Sequence, residues 1–134
     1  MSEENVETVR RAYEAFNRGD IDGTLAVLAS DFEYTPSGAI PGVTETHRGP
    51  EGFKLFVGWL LDQFDDVRFE INEVIGHDDD QVVFRHTNRG RGKLSGAETS
   101  WDVWQVVRFR DGKAVHAHAF TTKEEALEAA GLRE

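Results

Sequence analysis

The chain has 134 residues, no cysteine and a formal net charge of -10. That length suits one domain spanning residues 1–134, which buries roughly 70% of its unfolded surface and needs no staples; the missing thiols exclude disulfides, zinc-thiolate sites and iron–sulfur clusters and remove any argument for an oxidising compartment, which leaves the cytoplasm as the default expectation. The acidic balance repels phosphate backbones and acidic bilayers, so neither nucleic acid nor a membrane is an expected partner.

The acidic start, MSEENVETVRR, reads as helix rather than as a signal peptide. From Glu3 to Arg18, Val6, Val9, Tyr13 and Phe16 recur at helical spacing on one face, and Gly19 stops the run. Asp20 is the expected N-cap of a second helix carrying Ile21, Thr24, Leu25 and Leu28 and reaching Ser30. Phe32 to Thr35 alternates as a short strand ended by Pro36. The following PSGAIPGVTETHRG, rich in proline and glycine, reads as a loop or weak hairpin over the mouth of something. Pro50 suits the first turn of a third helix, on which Phe53, Phe56, Leu60 and Phe64 form an aromatic inner face.

Four strands complete the pattern. Val67 to Ile75 and Gln81 to Arg89 alternate on either side of the acidic turn His77-Asp78-Asp79-Asp80, and glycines 90, 92 and 96 lead into the next pair. Trp101 to Arg110 and Lys113 to Thr121 flank Asp111-Gly112, a strong hairpin signal because both central positions of a type I′ turn need positive φ. A short helix from Lys123 to Ala130 ends the chain. Helices first and strands second predict an α+β domain, with three helices laid over one curved, mainly antiparallel sheet and a cone-shaped gap at its open end.

The opening AYEAFNRGDIDGTLAVLASDFEY and the ending FRDGKAVHAHAFTTKEEALEAAGL resemble the SnoaL-like polyketide cyclases, within the larger group that folds like nuclear transport factor 2. The likeness spans nearly the whole chain and is specific for fold rather than activity. It implies a conical barrel, commonly a homodimer through the outer sheet face, with an apolar interior pocket. Matched from the DGK turn, the cyclases' last-strand carboxylate falls on Ala119 and its companion histidine on Gln105. In the related ketosteroid isomerases the first-helix tyrosine position falls on Ala12, one place from Tyr13, and the aspartate base near Thr35 or Pro36. Neither family constellation is therefore intact here.

Candidate chemistry remains. The Gln105 match makes Trp101, Val103, Gln105 and Val107 the pocket wall, with Gln105 an amide able to orient a carbonyl or hydroxyl. His86 shares parity with Val82 and Phe84; it is either a pocket base or a satisfied core or rim histidine. Glu33 and Tyr34 have opposite parity, so one of them faces inward, a carboxylate raised by burial or a hydroxyl donor. His116 and His118 share one face and suit a metal in spacing, but would need a third ligand such as His86 or Asp102, and the Ala119 match turns both outward. Arg85, Arg89, Arg91 and Lys93 read as a solvated patch, and Asp78, Asp79 and Asp80 as a solvent-facing turn. No cofactor motif appears, so neither cofactor nor metal is expected. The expected function is binding of a small apolar molecule in a cone lined by Tyr13, Phe16, Phe53, Phe56, Trp59, Trp101 and Gln105. Its expected chemistry is an isomerisation or aldol-type cyclisation of a carbonyl compound, with His86 or Glu33 as base and Gln105 or a tyrosine holding the enolate. A non-catalytic binding or interaction module is the alternative, and a metal-dependent enzyme ranks third.

Overall fold

A computed structural model of the chain describes residues 2–36 and 45–132. The expected loop or weak hairpin after Pro36 lies outside the described residues from 37 to 44, and His47–Arg48 beyond it forms a short strand, β2. The order is α1 (Ser2–Asn17), α2 (Ile21–Leu25), β1 (Leu28–Thr35), β2, α3 (Gly49–Gln63), β3 (Phe64–His77), β4 (Gln81–Gly92), β5 (Glu98–Arg110), β6 (Lys113–Phe120) and α4 (Lys123–Ala130). Among the described residues no helix is long and apolar enough to cross a membrane.

The six strands form one sheet in the order β2-β1-β6-β5-β4-β3, curved but not closed into a barrel. All neighbours are antiparallel except β1 and β6, which run parallel. The β5–β6 turn has the expected geometry, with φ of 52° at Asp111 and 78° at Gly112, and pairs Arg110 with Lys113. At the end of that hairpin the register slips, so that Arg108 opposes His116 while Phe109 opposes Ala114. This bulge puts Ala114 on the same buried face as Ala117 and Ala119.

The second helix is shorter than its periodicity suggests. Asp20 caps it as expected, accepting a 2.9 Å hydrogen bond from Gly23 N, but the helix ends at Leu25 and Leu28 already belongs to β1. Sheet pairing overrides the helical pattern there: Ala114 N donates to Val27 O at 2.9 Å, and Ala29 and Phe32 are buried. Strands β3, β4 and β5 extend beyond their expected ends for the same reason, since each ladder continues through glycines and charged residues.

Helices α1 and α3 cover the inner face of the sheet. Val9 and Phe16 from α1 and Phe56, Val57 and Leu60 from α3 meet Val82, Phe84, Val103, Val107 and Ala119 in the main core. The outer face carries α4, whose buried Ala126 packs against Val83 and Val106 with Trp104, Phe120 and Leu127 around them. Thr122 caps α4 by accepting from Glu125 N, and Gly131 ends it in the left-handed conformation.

Candidate functional site

Between the helices and the inner sheet face lies a cavity of about 90 Å³. Aromatic rings make much of its wall: Tyr13 and Phe16 from α1, Phe32 and Tyr34 from β1, Phe53 and Phe56 from α3, Phe69 from β3 and Phe109 from β5. Its polar side comes from neighbouring strands, His86 and Asn88 on β4 and Gln105 on β5. Strand parity brings these together, since β4 residues 82, 84, 86 and 88 share the inner face and β5 places Gln105 directly opposite Phe84. No Asp, Glu, Lys or Arg is among the described residues that line the cavity.

The polar groups there are enclosed by rings and by one another. Gln105 Nε2 lies 3.2 Å from His86 Nε2. In that orientation the amide donates and the proton of the neutral imidazole sits on Nδ1; rotating the amide by a half turn reverses the roles and frees the Nδ1 lone pair. The imidazole packs edge-on against Tyr13, ring centroids 5.3 Å apart, and against Phe69 and Phe84 at 5.8 Å. Burial lowers the His86 pKa to about 4, with Asn88 and the charge of Asp102 opposing in part. Burial likewise raises both tyrosine hydroxyls far above their ordinary range; a hydrogen bond with Gln105 opposes this at Tyr13, and proximity to Tyr13 adds to it at Tyr34. At neutral pH the polar lining is therefore uncharged. Three of its buried atoms, His86 Nδ1, Asn88 Oδ1 and Gln105 Oε1, have no hydrogen-bond partner among the described residues.

Tyr13, Phe16, Tyr34, Phe53, Phe56, His86 and Gln105 all line the cavity, whereas Glu33, Trp59 and Trp101 do not. Parity decides between the neighbours on β1: Tyr34 is 3% exposed on the inner face, while Glu33 turns outward, opposite His116, and pairs with Arg48. A proton-transfer role for Glu33 inside the cavity does not fit that placement. Trp59 stacks on Phe56 at 6.4 Å from the flank of the α3 stripe, because one helical step of 100° separates it from Leu60. Trp101 has the expected parity but packs against Phe64 at 5.9 Å, where β5 runs past the cavity.

His116 and His118 face outward as a pair with ring centroids 5.4 Å apart. His116 Nε2 is 3.0 Å from Thr35 Oγ1, and both rings have lowered pKa values, mainly through partial burial. Among the described residues no group of three or more His, Cys, Asp or Glu is placed to hold a metal ion. The basic patch is neutralised locally: Arg85 meets Asp102 at 3.3 Å, Arg89 meets Glu70 at 2.6 Å, Arg91 meets Asp66 at 2.8 Å and Lys93 meets Asp65 at 4.0 Å. The acidic turn is an Asx-type cap, with Asp78 Oδ1 accepting from Asp80 N and Gln81 N.

Sequence reasoning missed Asn88, although its parity with Val82, Phe84 and His86 was a usable signal, and missed Phe69 and Phe109 for want of the strand register. It also paired two positions that the fold makes direct neighbours: Gln105 and Ala119 are cross-strand partners, and Ala119 is fully buried.

Residues 9–117 match the family described as the SnoaL-like domain. Among solved structures, the chain is similar to an NTF2-like protein of unknown function from Burkholderia pseudomallei, with 30% identity, 93% and 95% of the two chains covered and a TM-score of 0.78. It is also similar to TerC co-crystallised with polyporic acid, with 25% identity, 93% and 98% covered and a TM-score of 0.78. A putative polyketide cyclase from Xanthomonas campestris shares the fold at 21% identity, with 92% and 93% covered and a TM-score of 0.74. No curated protein matches the chain.

Proposed function

The chain belongs to the SnoaL-like family, and on that premise we propose that it binds a small, mainly apolar carbonyl compound in the inner cavity and moves a proton on it, as an isomerase or aldol-type cyclase. The observation that carries this reading is the uncharged His86–Gln105 pair, buried in an aromatic cavity with unpartnered polar atoms at the same end. With the amide turned to accept from Nε2–H, His86 Nδ1 takes a proton from the carbon next to the carbonyl. The electron pair of that C–H bond moves onto the carbonyl oxygen, and the Tyr13 hydroxyl and Gln105 amide stabilise the enolate by hydrogen bonding. Returning the proton to a different carbon completes an isomerisation; attack of the enolate carbon on a second carbonyl, which takes up the proton at oxygen, completes an aldol closure. A base with a pKa near 4 is weak in water, but an aspartate only slightly more basic serves ketosteroid isomerases in an apolar site.

A second reading, a non-catalytic binding module, is favoured by the buried Ala119 opposite Gln105, since the resemblance puts the cyclases' carboxylate there. TerC's co-crystallisation with polyporic acid is in keeping with ligand binding on this fold. We further propose a homodimer through the outer sheet face, where His116, His118 and Phe120 are only half-buried, checked by light scattering. Solvent-deuterium incorporation next to the carbonyl of small ketones separates the two readings. Protein-dependent exchange that His86→Leu abolishes supports proton transfer. Binding with no exchange supports the module, and exchange unchanged in His86→Leu removes His86 as the base.

A further inference from the structure

Resting on the cavity reading above, we infer that the ligand is an uncharged compound of at most one ring, bearing a hydroxyl or carbonyl group at one end only, which narrows that reading to the isomerisation, since an aldol closure needs a second carbonyl. Size comes first. A cavity of roughly 150 Å³ lined by apolar side chains accommodates benzene, and this one measures about 90 Å³. A single ring enters after a modest outward turn of a wall ring such as Phe53, which is only partly buried. Within the described wall a second fused ring has no room, because Phe32 and Phe56 behind it are closely packed in the core.

Charge comes second. An ionised ligand would leave water without a counter-charge, since no Asp, Glu, Lys or Arg lines the described wall and His86 stays neutral. Polarity comes third, and it is one-ended. The two lining threonines are satisfied internally, Thr8 Oγ1 donating to Glu4 O at 2.9 Å and Thr24 Oγ1 to Asp20 O at 3.0 Å. The unpartnered buried atoms gather instead at His86, Asn88 and Gln105 on adjacent strands. A hydroxyl at that end can donate to Asn88 Oδ1 or Gln105 Oε1, and a carbonyl there can accept from His86 Nδ1–H, so each partners a group whose burial is otherwise uncompensated, while the rest of the ligand meets only rings and aliphatic carbon.

The test is a set of binding titrations of the whole protein, followed by amide proton–nitrogen NMR, with phenol, benzene, benzoate and 2-naphthol at neutral pH. Phenol is expected to perturb β4 and β5 around His86 and Gln105 saturably and on the order of tenfold more tightly than benzene, with benzoate and 2-naphthol excluded. In Gln105→Leu the advantage of phenol over benzene should disappear while benzene still binds; the titrations of the unaltered protein decide the matter if that variant does not fold. Binding of 2-naphthol or benzoate as tight as that of phenol overturns the assigned class and leaves the cavity reading standing, and so does benzene binding as tightly as phenol. No saturable response to any of the four overturns both.

Discussion

The two faces of β4 put polar residues to opposite uses. Inward, Val82, Phe84, His86 and Asn88 are all nearly inaccessible, and the two polar members remain uncharged. Outward, Arg85 and Arg89 stand half in solvent against Asp102 and Glu70, and Thr87 Oγ1 donates to Asp102 Oδ1 at 2.7 Å. Water screens the outer pairs, so each contributes little, whereas the inner groups sit where an unmade hydrogen bond or an added charge is expensive. The arginine pairs on the outer face are thus interchangeable to a degree that His86, Asn88 and Gln105 are not.

That contrast breaks most visibly at Phe84. Phe84→Ala should lower stability by about 3–5 kcal/mol, because it empties a fully buried site beside His86; denaturant unfolding measures it. Acid should come next. Between the usual histidine pKa of 6.5 and about 4, the unfolded chain binds a proton at this residue that the folded chain refuses. The stability due to neutral His86 is therefore complete above the upper value and declines as pH falls towards the lower one, by about 3 kcal/mol in all. Unfolding curves across that window should show the loss in the native chain and a flatter profile in His86→Leu.

Asn17 sharpens the comparison from the helix side. Its amide donates to Phe69 O at 2.8 Å and accepts from Phe69 N at 2.9 Å, tying edge strand β3 to α1. The same strand position stacks the Phe69 ring on Phe16 at 4.5 Å. Asn17→Ala should cost about 1–3 kcal/mol and speed hydrogen exchange at Phe69 N. The smallest effect is expected outside: Arg89→Ala should change stability by less than about 1 kcal/mol and leave ligand binding unaltered in the same titrations.

Much of the site was legible because β-strands alternate strictly. His86 followed from Val82 and Phe84, whereas Gln105 came from the family resemblance, matched from the Asp111-Gly112 turn, whose positive φ values fix where β5 and β6 pair. Glu33 and Tyr34 stayed undecided for a physical reason: β1 is short, its register against β6 shifts between Leu28 and Glu33, and only pairing with Arg48 and His116 shows which face each occupies. The end of α2 was hidden because Leu28 fits both a helical stripe and a strand. Trp101 illustrates a different limit, since parity assigns a face but not how far along the strand a cavity extends. Asn88 needed no further information, only the same alternation carried two residues beyond His86.

The most direct test of the central claim is to follow the ring nitrogens of His86 by NMR through an acid titration, with and without phenol. The neutral, Gln105-bound imidazole should persist well below the ordinary histidine pKa, and phenol should shift the Nδ1 resonance. Titration at the ordinary value, together with no response to phenol, would show a solvated histidine and contradict an uncharged polar end to the cavity.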